Sequence, residues 1–300
     1  MSAETDPTSY LTGLIGAGIG RSLSPPLHHG EASRHELRML YRVLDIDELG
    51  VSPEDTGKLL AAARMVGFDG LNITHPCKQV VIEHLDELDA EAATLGAVNT
   101  VVLRGGRAIG HNTDSIGFAR AFVRGLPGAP TGSVVLLGAG GAGSAVAHAL
   151  LSELIGVERL FIVDTQFERG QTLADALRSR FGAERAEAGA PEDLGARLAA
   201  ADGLVHATPV GMAAHPGLPL PVELLRPDLW VAEVVYLPLE TELLRVAREL
   251  GCRTMDGGGM LVYQAAEAFR LFTGREPDID AMFEDYYTLV TPADADRRTA

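Results

Sequence analysis

Short apolar runs alternate along this chain with segments whose apolar residues recur every three or four positions. The runs predict strands and the segments with the longer period predict helices. The predicted strands are 11–17, 39–45, 70–74, 97–104, 107–113, 133–137, 159–163, 203–207, 230–235 and 252–255. The predicted helices are 53–66, 142–154, 167–181, 192–200, 240–250 and 259–273. After about residue 116, strands and helices alternate, which predicts a parallel sheet covered on both faces.

The pair Gly105-Gly106, between two apolar segments, is typical of a two-residue hairpin turn. In the register that this turn sets, Asn99 lies opposite Asn112. Asp114, just past the second strand, is then near Asn99 in space. Asp114 has two readings, as a polar group of a site or as only the N-cap of a helix over 115–124.

Polar residues cluster where the predicted strand 70–74 ends. Asn72 and Thr74 alternate with apolar residues and therefore point the same way. Pro76 suits the first turn of a helix that continues through Lys78. A lysine at the positive end of a helix is electrostatically unfavourable, which favours a neutral amine that can accept a proton. The alternative is an ordinary surface lysine at a helix start.

A second helix start is predicted near the N-terminus of the chain. Ser22 and Ser24 follow a glycine-rich turn, and a helix should begin at Pro25 with Ser24 as its N-cap. Serine hydroxyls at a helix N-terminus can bind a carboxylate without an arginine.

Composition narrows the class of protein. The 300 residues are 46% hydrophobic and 22% charged, which suggests two domains with cores of their own. The net charge of −16 argues against nucleic acid or an anionic membrane as a partner. Cys77 and Cys252 are too far apart in sequence for a disulfide framework or a metal motif, and the histidines form no metal pattern. The apolar run at 11–19 is short and rich in glycine, so we expect neither a signal peptide nor a membrane span, and a cytoplasmic protein with reduced thiols.

The segment from 138 to 143 matches the pattern G-x-G-x-x-G, after a buried strand and at a helix start. Its glycines let backbone N–H groups reach a pyrophosphate. Asp164 ends the next strand, where a carboxylate accepts hydrogen bonds from ribose hydroxyls and repels a 2′-phosphate, so NAD is favoured over NADP. Arg169 is a competing signal, because it can serve a 2′-phosphate, stack on adenine or pair with Asp164. The alternatives are a plain tight turn for the glycines and a turn cap for Asp164.

Taken together, these residues resemble the shikimate/quinate dehydrogenase family over nearly the whole chain. The matching segments are Ser22-Leu-Ser24-Pro, Asn72-Ile-Thr-His-Pro-Cys-Lys78, Gly96-Ala-Val-Asn99-Thr, Asn112-Thr-Asp114-x-x-Gly117, Ala207-Thr-Pro-Val-Gly-Met212 and Gly258-Gly-Met260-Leu-Val-Tyr-Gln264. Two positions depart from the family pattern. His206 stands where the family often has Asn, and Glu233 where it often has Asp, which affects details of the cofactor loop.

The resemblance implies an α/β protein of two domains. An N-terminal α/β substrate domain comprises 1–115 plus 258–300, and 116–257 form a Rossmann domain, a doubly wound parallel sheet for the dinucleotide. By resemblance, Lys78 and Asp114 are the catalytic pair. The residues implied to bind substrate are Ser22, Ser24, Asn72, Thr74, Asn99, Tyr236 and Gln264. The residues implied to bind the cofactor are Gly138, Ala139, Gly140, Gly141, Ala142, Gly143, Asp164, Arg169, Thr208, Pro209, Val235, Gly257 and Met260.

The implied activity is an NAD-dependent oxidoreductase that interconverts shikimate and 3-dehydroshikimate and also acts on quinate. A dedicated quinate or aminoshikimate dehydrogenase is the nearest alternative, and a non-catalytic regulator that binds NAD or shikimate is an alternative of another class. A lysine next to an aspartate argues against the regulator, because a binder needs no proton-transfer pair. A folate-linked dehydrogenase leaves the Ser22–Ser24 loop and Gln264 unexplained. Gln264 and Met260 also have packing readings, and monomer and homodimer both stay open.

Overall fold

The computed structural model describes residues 9–291, which form two compact units. One unit contains residues 9–113 and 264–291, and the other is Asp114–Tyr263. We call them the substrate unit and the dinucleotide unit. The strands are β1 (Ser9–Gly16), β2 (Arg38–Asp45), β3 (Gly70–Ile73), β4 (Glu87–Leu88), β5 (Thr100–Arg104), β6 (Arg107–His111), β7 (Ser133–Leu137), β8 (Arg159–Val163), β9 (Ala186–Gly189), β10 (Gly203–His206), β11 (Trp230–Glu233) and β12 (Thr254–Met255). The α-helices are α1 (Ser24–Arg34), α2 (Ile46–Leu49), α3 (Thr56–Met65), α4 (Cys77–Val80), α5 (Ala90–Leu95), α6 (Asp114–Gly125), α7 (Gly141–Leu151), α8 (Phe167–Phe181), α9 (Leu194–Ala199), α10 (Glu242–Glu249), α11 (Gly258–Thr273) and α12 (Ile279–Val290).

The substrate unit is built on a mixed sheet with strand order β2-β1-β3-β5-β6-β4. β1 runs parallel to both β2 and β3, whereas β5 is antiparallel to β3 and β6. The hairpin register is confirmed, because Arg104 pairs with Arg107 and Thr100 with His111. Both turn glycines have positive φ angles, the conformation that such a turn requires. The carboxyl ends of β1 and β3 therefore lie beside the start of β5.

The dinucleotide unit is built on a sheet with strand order β12-β11-β10-β7-β8-β9, in which every neighbouring pair is parallel. The two faces of this sheet pack into separate apolar cores, one of which includes the side chains of α6 and α7. Chain order reverses between β7 and β10, and ligands of such sheets bind beyond the carboxyl ends of the strands at this point. The predicted two-domain α/β fold with a doubly wound parallel sheet is thus confirmed.

Several local predictions need correction. Helix α1 begins at Ser24, its N-cap is Leu23, and no side chain caps it, so Ser24 is not the N-cap. Helix α4 begins at Cys77 rather than at Pro76 and continues as a 3-10 helix over Val81–His84. Because α4 has a single α-helical turn, the helix dipole at Lys78 is weaker than we expected. The elements β4, β9, α2, α5 and α12 were not predicted.

The predicted domain boundaries, after 115 and before 258, lie near the points where the chain passes between the units. The assignment of these domains to substrate and dinucleotide stays a prediction, and its outer ends, 1–8 and 292–300, lie outside the described residues. Within residues 9–291, no helix is long and apolar enough to cross a membrane.

Candidate active site

The Ser22–Ser24 segment of the substrate unit lies on a turn held by a buried carboxylate. Asp45, at the end of β2, accepts the N–H of Gly18 (3.1 Å) and of Ile19 (2.7 Å). The hydroxyl of Ser22 accepts the N–H of Ser24 at 3.2 Å. Asp45 was missed from sequence, although an aspartate at the end of a predicted strand was a visible signal. It fixes the turn that presents both serines.

The Thr74–Lys78 corner is tied to β1 and to the strand that leads into the hairpin. The N–H of Thr74 donates to the carbonyl of Ile15 at 2.9 Å. A Cβ on Gly16 would overlap the methyl group of Thr74, so glycine there permits this close approach. The carbonyl of Lys78 accepts the N–H of Val98 at 2.8 Å, which places the lysine backbone next to the residue that precedes Asn99.

A chain of side-chain hydrogen bonds fixes the two predicted asparagines of the substrate unit. The hydroxyl of Tyr41 donates to Asn72 Oδ1 (2.7 Å), and Asn72 Nδ2 donates to Thr100 Oγ1 (3.1 Å). The Thr100 hydroxyl donates in turn to Asn99 Oδ1 at 3.0 Å. Each amide is therefore held in one orientation before any ligand binds. Tyr41 is a further residue that sequence reasoning missed.

This series of hydrogen bonds continues to Thr113, the residue that precedes Asp114. Asn99 Nδ2 donates to Thr113 Oγ1 and Asn99 Oδ1 accepts the N–H of Thr113, both at 2.9 Å. The Thr113 hydroxyl also donates to the carbonyl of Gln264 at 3.4 Å. The structure thus brings Asn72, Asn99 and the backbone of Gln264 into one network.

Two residues that were predicted to be catalytic or to bind substrate belong to the dinucleotide unit rather than to the substrate unit. Asp114 is the first residue of α6 and is buried. Tyr236 follows β11, and burial raises the pKa of its phenol.

The glycines of the 138–143 loop have distinct roles in the dinucleotide unit. Gly138 has a φ of 101°, and its N–H donates to the carbonyl of Val163 at 2.8 Å. A Cβ on Gly143 would overlap the carbonyl oxygen of Gly138, so only glycine lets α7 start this close to β7. A Cβ on Gly140 or Gly141 would meet no atom within 4 Å. The loop is therefore closely packed where Gly143 meets Gly138 and has open space at Gly140 and Gly141.

This arrangement fits the pyrophosphate of a dinucleotide. No side chain caps the N-terminus of α7, whose N-cap is Gly140. Backbone N–H groups and the positive end of an eleven-residue helix are suited to an anion there.

Asp164 stands beside this loop at the end of β8. Its carboxylate is buried and accepts the N–H of Ala139 (2.8 Å) and of Gln166 (2.9 Å). Arg169 Nη1 lies 4.0 Å from Asp164 Oδ2, and half of the arginine side chain is exposed. Asp164 therefore caps a turn, as its alternative reading held, and also places a fixed carboxylate against the glycine loop.

The segments after β10 and β11 carry the other predicted cofactor residues. A buried pair, His206 and Glu233, ends these two strands, with 2.9 Å between His206 Nδ1 and Glu233 Oε1. The carboxylate of Glu233 also accepts the N–H of Val235 at 3.0 Å, and His206 Nε2 hydrogen-bonds the hydroxyl of Thr208. Pro209, the next residue, is exposed. Sequence reasoning noted both members of the pair as departures from the family pattern without connecting them.

Gly257 lies just before α11, and Met260 lies in its first turn. A Cβ on Gly257 would come within 2.6 Å of the carbonyl oxygen of Val235. The side chain of Met260 is buried in the apolar core beside α6 and α7, as its packing reading held. Among the described residues, no group of three or more His, Cys, Asp or Glu side chains is arranged to hold a metal ion.

Comparison with known proteins identifies the family. Residues 14–101 match the family model described as the shikimate dehydrogenase substrate binding domain, and residues 257–282 match the shikimate 5′-dehydrogenase C-terminal domain. The chain is 64% identical over 285 residues to a protein of Streptomyces avermitilis named shikimate dehydrogenase (NADP(+)), covering 95% of this chain and 97% of that one.

Two further relatives come from Corynebacterium glutamicum. The quinate/shikimate dehydrogenase (NAD(+)) of strain R is 48% identical, with 94% of this chain and 99% of that protein covered. The solved structure of a quinate dehydrogenase in complex with NAD matches with a TM-score of 0.87 and 47% identity, covering 94% of this chain and 99% of that one. With its fold, its motifs and these relatives in agreement, the chain belongs to the shikimate/quinate dehydrogenase family.

Proposed function

We propose that the protein is an NAD-preferring shikimate dehydrogenase that interconverts shikimate and 3-dehydroshikimate and also oxidises quinate. The observation that carries this proposal is the ordered amide and hydroxyl network of Asn72, Thr100 and Asn99. The network lies next to the backbone of Lys78, within the segment that matches the substrate binding domain of shikimate dehydrogenases.

The proposed chemistry divides between cofactor and protein. NAD, when bound, accepts a hydride from the secondary alcohol of the substrate. Lys78 accepts the proton of the reacting hydroxyl, and Asp114 is the second member of the predicted proton-transfer pair.

A ring that carries several hydroxyl groups and a carboxylate suits the proposed substrate residues. Asparagine amides and serine or threonine hydroxyls both donate and accept, so they can pair each ring hydroxyl in a defined orientation. Ser22 and Ser24 are proposed to meet the carboxylate. These neutral donors make an anionic substrate compatible with a chain of net charge −16.

The preference for NAD rests on Asp164. Its carboxylate is held against the glycine loop by two backbone N–H groups, so it cannot turn away from a phosphate brought to the adenine ribose. An ionised carboxylate there accepts ribose hydroxyls and repels a 2′-phosphate. Arg169 lies close enough to Asp164 to pair with it, so we assign the arginine to the carboxylate rather than to a phosphate. The names of the relatives divide between NADP and NAD, so Asp164 decides the proposal.

Action on quinate is supported by the relatives from Corynebacterium glutamicum, one named quinate/shikimate dehydrogenase and the other quinate dehydrogenase. Quinate differs from shikimate by ring saturation and one hydroxyl, a difference that the local shape of the pocket determines.

Steady-state kinetics on a two-by-two grid test the proposal, with shikimate or quinate as substrate and NAD⁺ or NADP⁺ as acceptor. We expect turnover of shikimate with NAD⁺. With NADP⁺ we expect kcat/KM to be at least about tenfold lower, a ratio that corresponds to a free-energy difference of about 1.4 kcal/mol. A tenfold preference for NADP⁺ would overturn the role given to Asp164. No turnover in any of the four combinations would overturn the proposal that the protein is an enzyme and would favour a regulator that only binds these ligands.

A further inference from the structure

Among the described residues, His206 and Glu233 form a fully buried ionisable pair that the proposed reaction does not use. Their side chains are 0% exposed. Burial of an ionisable pair is costly unless every polar atom is bonded, and packed apolar residues often stabilise a fold equally well. The hydrogen bonds of the two side chains show which segments they hold in place.

The pair occupies the centre of the dinucleotide-binding edge of the sheet. His206 is the last residue of β10 and lies beside Glu233, the last residue of β11, in the parallel register. On its other side His206 pairs with Leu137, the residue before Gly138. Both side chains thus stand at the carboxyl ends of the strands around the point where the strand order reverses, where this class of sheet binds its ligands.

Glu233 uses both carboxylate oxygens to hold the segment after β11. Oε1 accepts the N–H of Val235 (3.0 Å), and Oε2 accepts the hydroxyl of Thr241 (3.1 Å). Thr241 is itself the N-cap of α10. The carboxylate accepts these two donors, so the hydrogen on the nearby imidazole belongs on Nδ1, which donates to it.

His206 uses its second ring nitrogen to hold the segment after β10. Nε2 bonds the hydroxyl of Thr208, and that oxygen also accepts the N–H of Val210. The methyl group of Thr208 packs against the first glycine of the loop, where a Cβ on Gly138 would come within 2.9 Å of it. An asparagine, which the family often has at this position, could bond Glu233 but has no second nitrogen to reach Thr208.

We infer that His206 and Glu233 are positioning residues for the dinucleotide, which fix the Thr208 side chain and the Val235 backbone in the orientation that receives it. The inference rests on the proposed function, because Thr208 and Val235 are cofactor contacts by resemblance. Neither member of the pair needs to touch the cofactor, since each acts through a residue that it orients.

A double-mutant cycle on dinucleotide affinity tests the inference. The variants are His206→Asn, which keeps the bond to Glu233 and loses the bond to Thr208, Thr208→Val, and the two combined. The dissociation constants of NADH and NADPH are measured by calorimetry without substrate, and thermal unfolding is measured without dinucleotide. For the more tightly bound dinucleotide, we expect each single change to weaken binding about tenfold, the upper range for one hydrogen bond. The double variant should bind no more weakly than Thr208→Val, because both changes remove one interaction.

His148→Asn is the matched control. His148 is the other buried histidine of this unit, on α7, and it bonds Arg180. We expect this change to lower the unfolding temperature and to leave the affinity within about twofold of the wild type, well below the effect of losing a hydrogen bond. His206→Gln is a second variant in case His206→Asn does not fold. Its amide extends toward Thr208, so it should bind dinucleotide more tightly than Thr208→Val.

The outcomes separate the two proposals. If the wild type binds neither dinucleotide, the proposed function fails and the inference fails with it. If the wild type binds and His206→Asn lowers only the unfolding temperature, the pair is structural and the inference alone is overturned. Additive losses of affinity in the double variant, or a His206→Gln variant as weak as Thr208→Val, would also overturn it.

Discussion

The two units hold their functional residues in place by different means. The glycine loop of the dinucleotide unit depends on backbone groups: Gly143 allows α7 to start against Gly138, and the carboxylate of Asp164 is held by N–H groups. In the substrate unit, side chains hold side chains, as Tyr41 holds Asn72. A backbone site is sensitive to any added Cβ, whereas a side-chain network is sensitive to the loss of single atoms.

A buried histidine in each unit shows the opposite arrangement. His206 has partners for both ring nitrogens. His28, on α1, is equally buried, but among the described residues neither of its ring nitrogens has a hydrogen-bond partner. It stacks instead on Tyr41, with 4.9 Å between the ring centroids. Of these two histidines, only His206 is built into a polar network.

The largest expected effect tests whether the substrate unit supplies the proton transfer. Lys78→Ala should reduce kcat about 10²- to 10⁴-fold, the usual contribution of a general base, with a smaller change in KM. Steady-state kinetics with shikimate check this. Lys58, the only other lysine of the chain, is 81% exposed and pairs with Asp55, so Lys58→Ala is the matched control and should leave kcat unchanged. A Lys78→Ala enzyme with nearly wild-type kcat would refute the assignment of Lys78.

The fold was predictable wherever apolar residues carry a clear period. The predicted bounds of β7, β8 and α8 are those observed, because these central elements are buried along their whole length or on one continuous face. Strand β9 was missed because Ala-Glu-Ala-Gly has almost no apolar signal, and it exists only through its pairing with β8 at the sheet edge. The short β4 likewise depends on its neighbour β6.

The candidate site was predictable only as far as short motifs reach. The glycine loop and the Thr74–Lys78 corner can each be recognised from a run of consecutive residues. Tyr41 and Asp45 do not, because their contacts depend on β2 lying next to β1. The pairing of His206 with Glu233 likewise requires β10 and β11 to be adjacent and in register, which neither residue's local sequence specifies.

The next effect in size tests the backbone character of the dinucleotide unit. Gly143→Ala places a Cβ on the carbonyl of Gly138, so we expect a loss of about 1–3 kcal/mol in the free energy of unfolding together with weaker NADH binding. Gly140→Ala meets open space within the protein and should change stability by less than about 1 kcal/mol, yet should also weaken NADH binding. Urea unfolding and NADH titration separate the two variants. Equal stability losses in both would contradict the distinction between the two glycines.

A smaller effect concerns the unpartnered histidine of the substrate unit. Burial, followed by repulsion from His29, lowers the pKa of His28 from 6.5 to about 3. Below pH 6.5 the unfolded chain therefore binds a proton at this residue while the native protein does not. As the pH is lowered from 6.5 to 3, the free energy of unfolding decreases. The slope is about 1.4 kcal/mol per pH unit, or roughly 2 kcal/mol between pH 7 and pH 5.

His28→Leu should remove this contribution, because leucine does not titrate. The free energy of unfolding is measured by urea at pH 7 and pH 5 for both proteins, and the difference between them reports His28 alone. We expect the variant to gain on the wild type as the pH falls. If the free energy of unfolding changed equally in both proteins between pH 7 and pH 5, His28 would have to be protonated in the native state.

The smallest expected effect tests how firmly the side-chain network must hold Asn72. Tyr41→Phe removes the hydroxyl that donates to Asn72 Oδ1 and should cost about 1 kcal/mol of stability, the usual net value of one hydrogen bond. If the orientation of Asn72 serves the substrate, KM for shikimate should also rise about threefold to tenfold. Tyr10→Phe is the control, because Tyr10 donates to the carbonyl of Thr273 and not to Asn72. An equal rise of KM in both variants would show that the loss of a hydroxyl, rather than the position of Asn72, governs binding, and the contrast between the two units would then rest on the glycine loop alone.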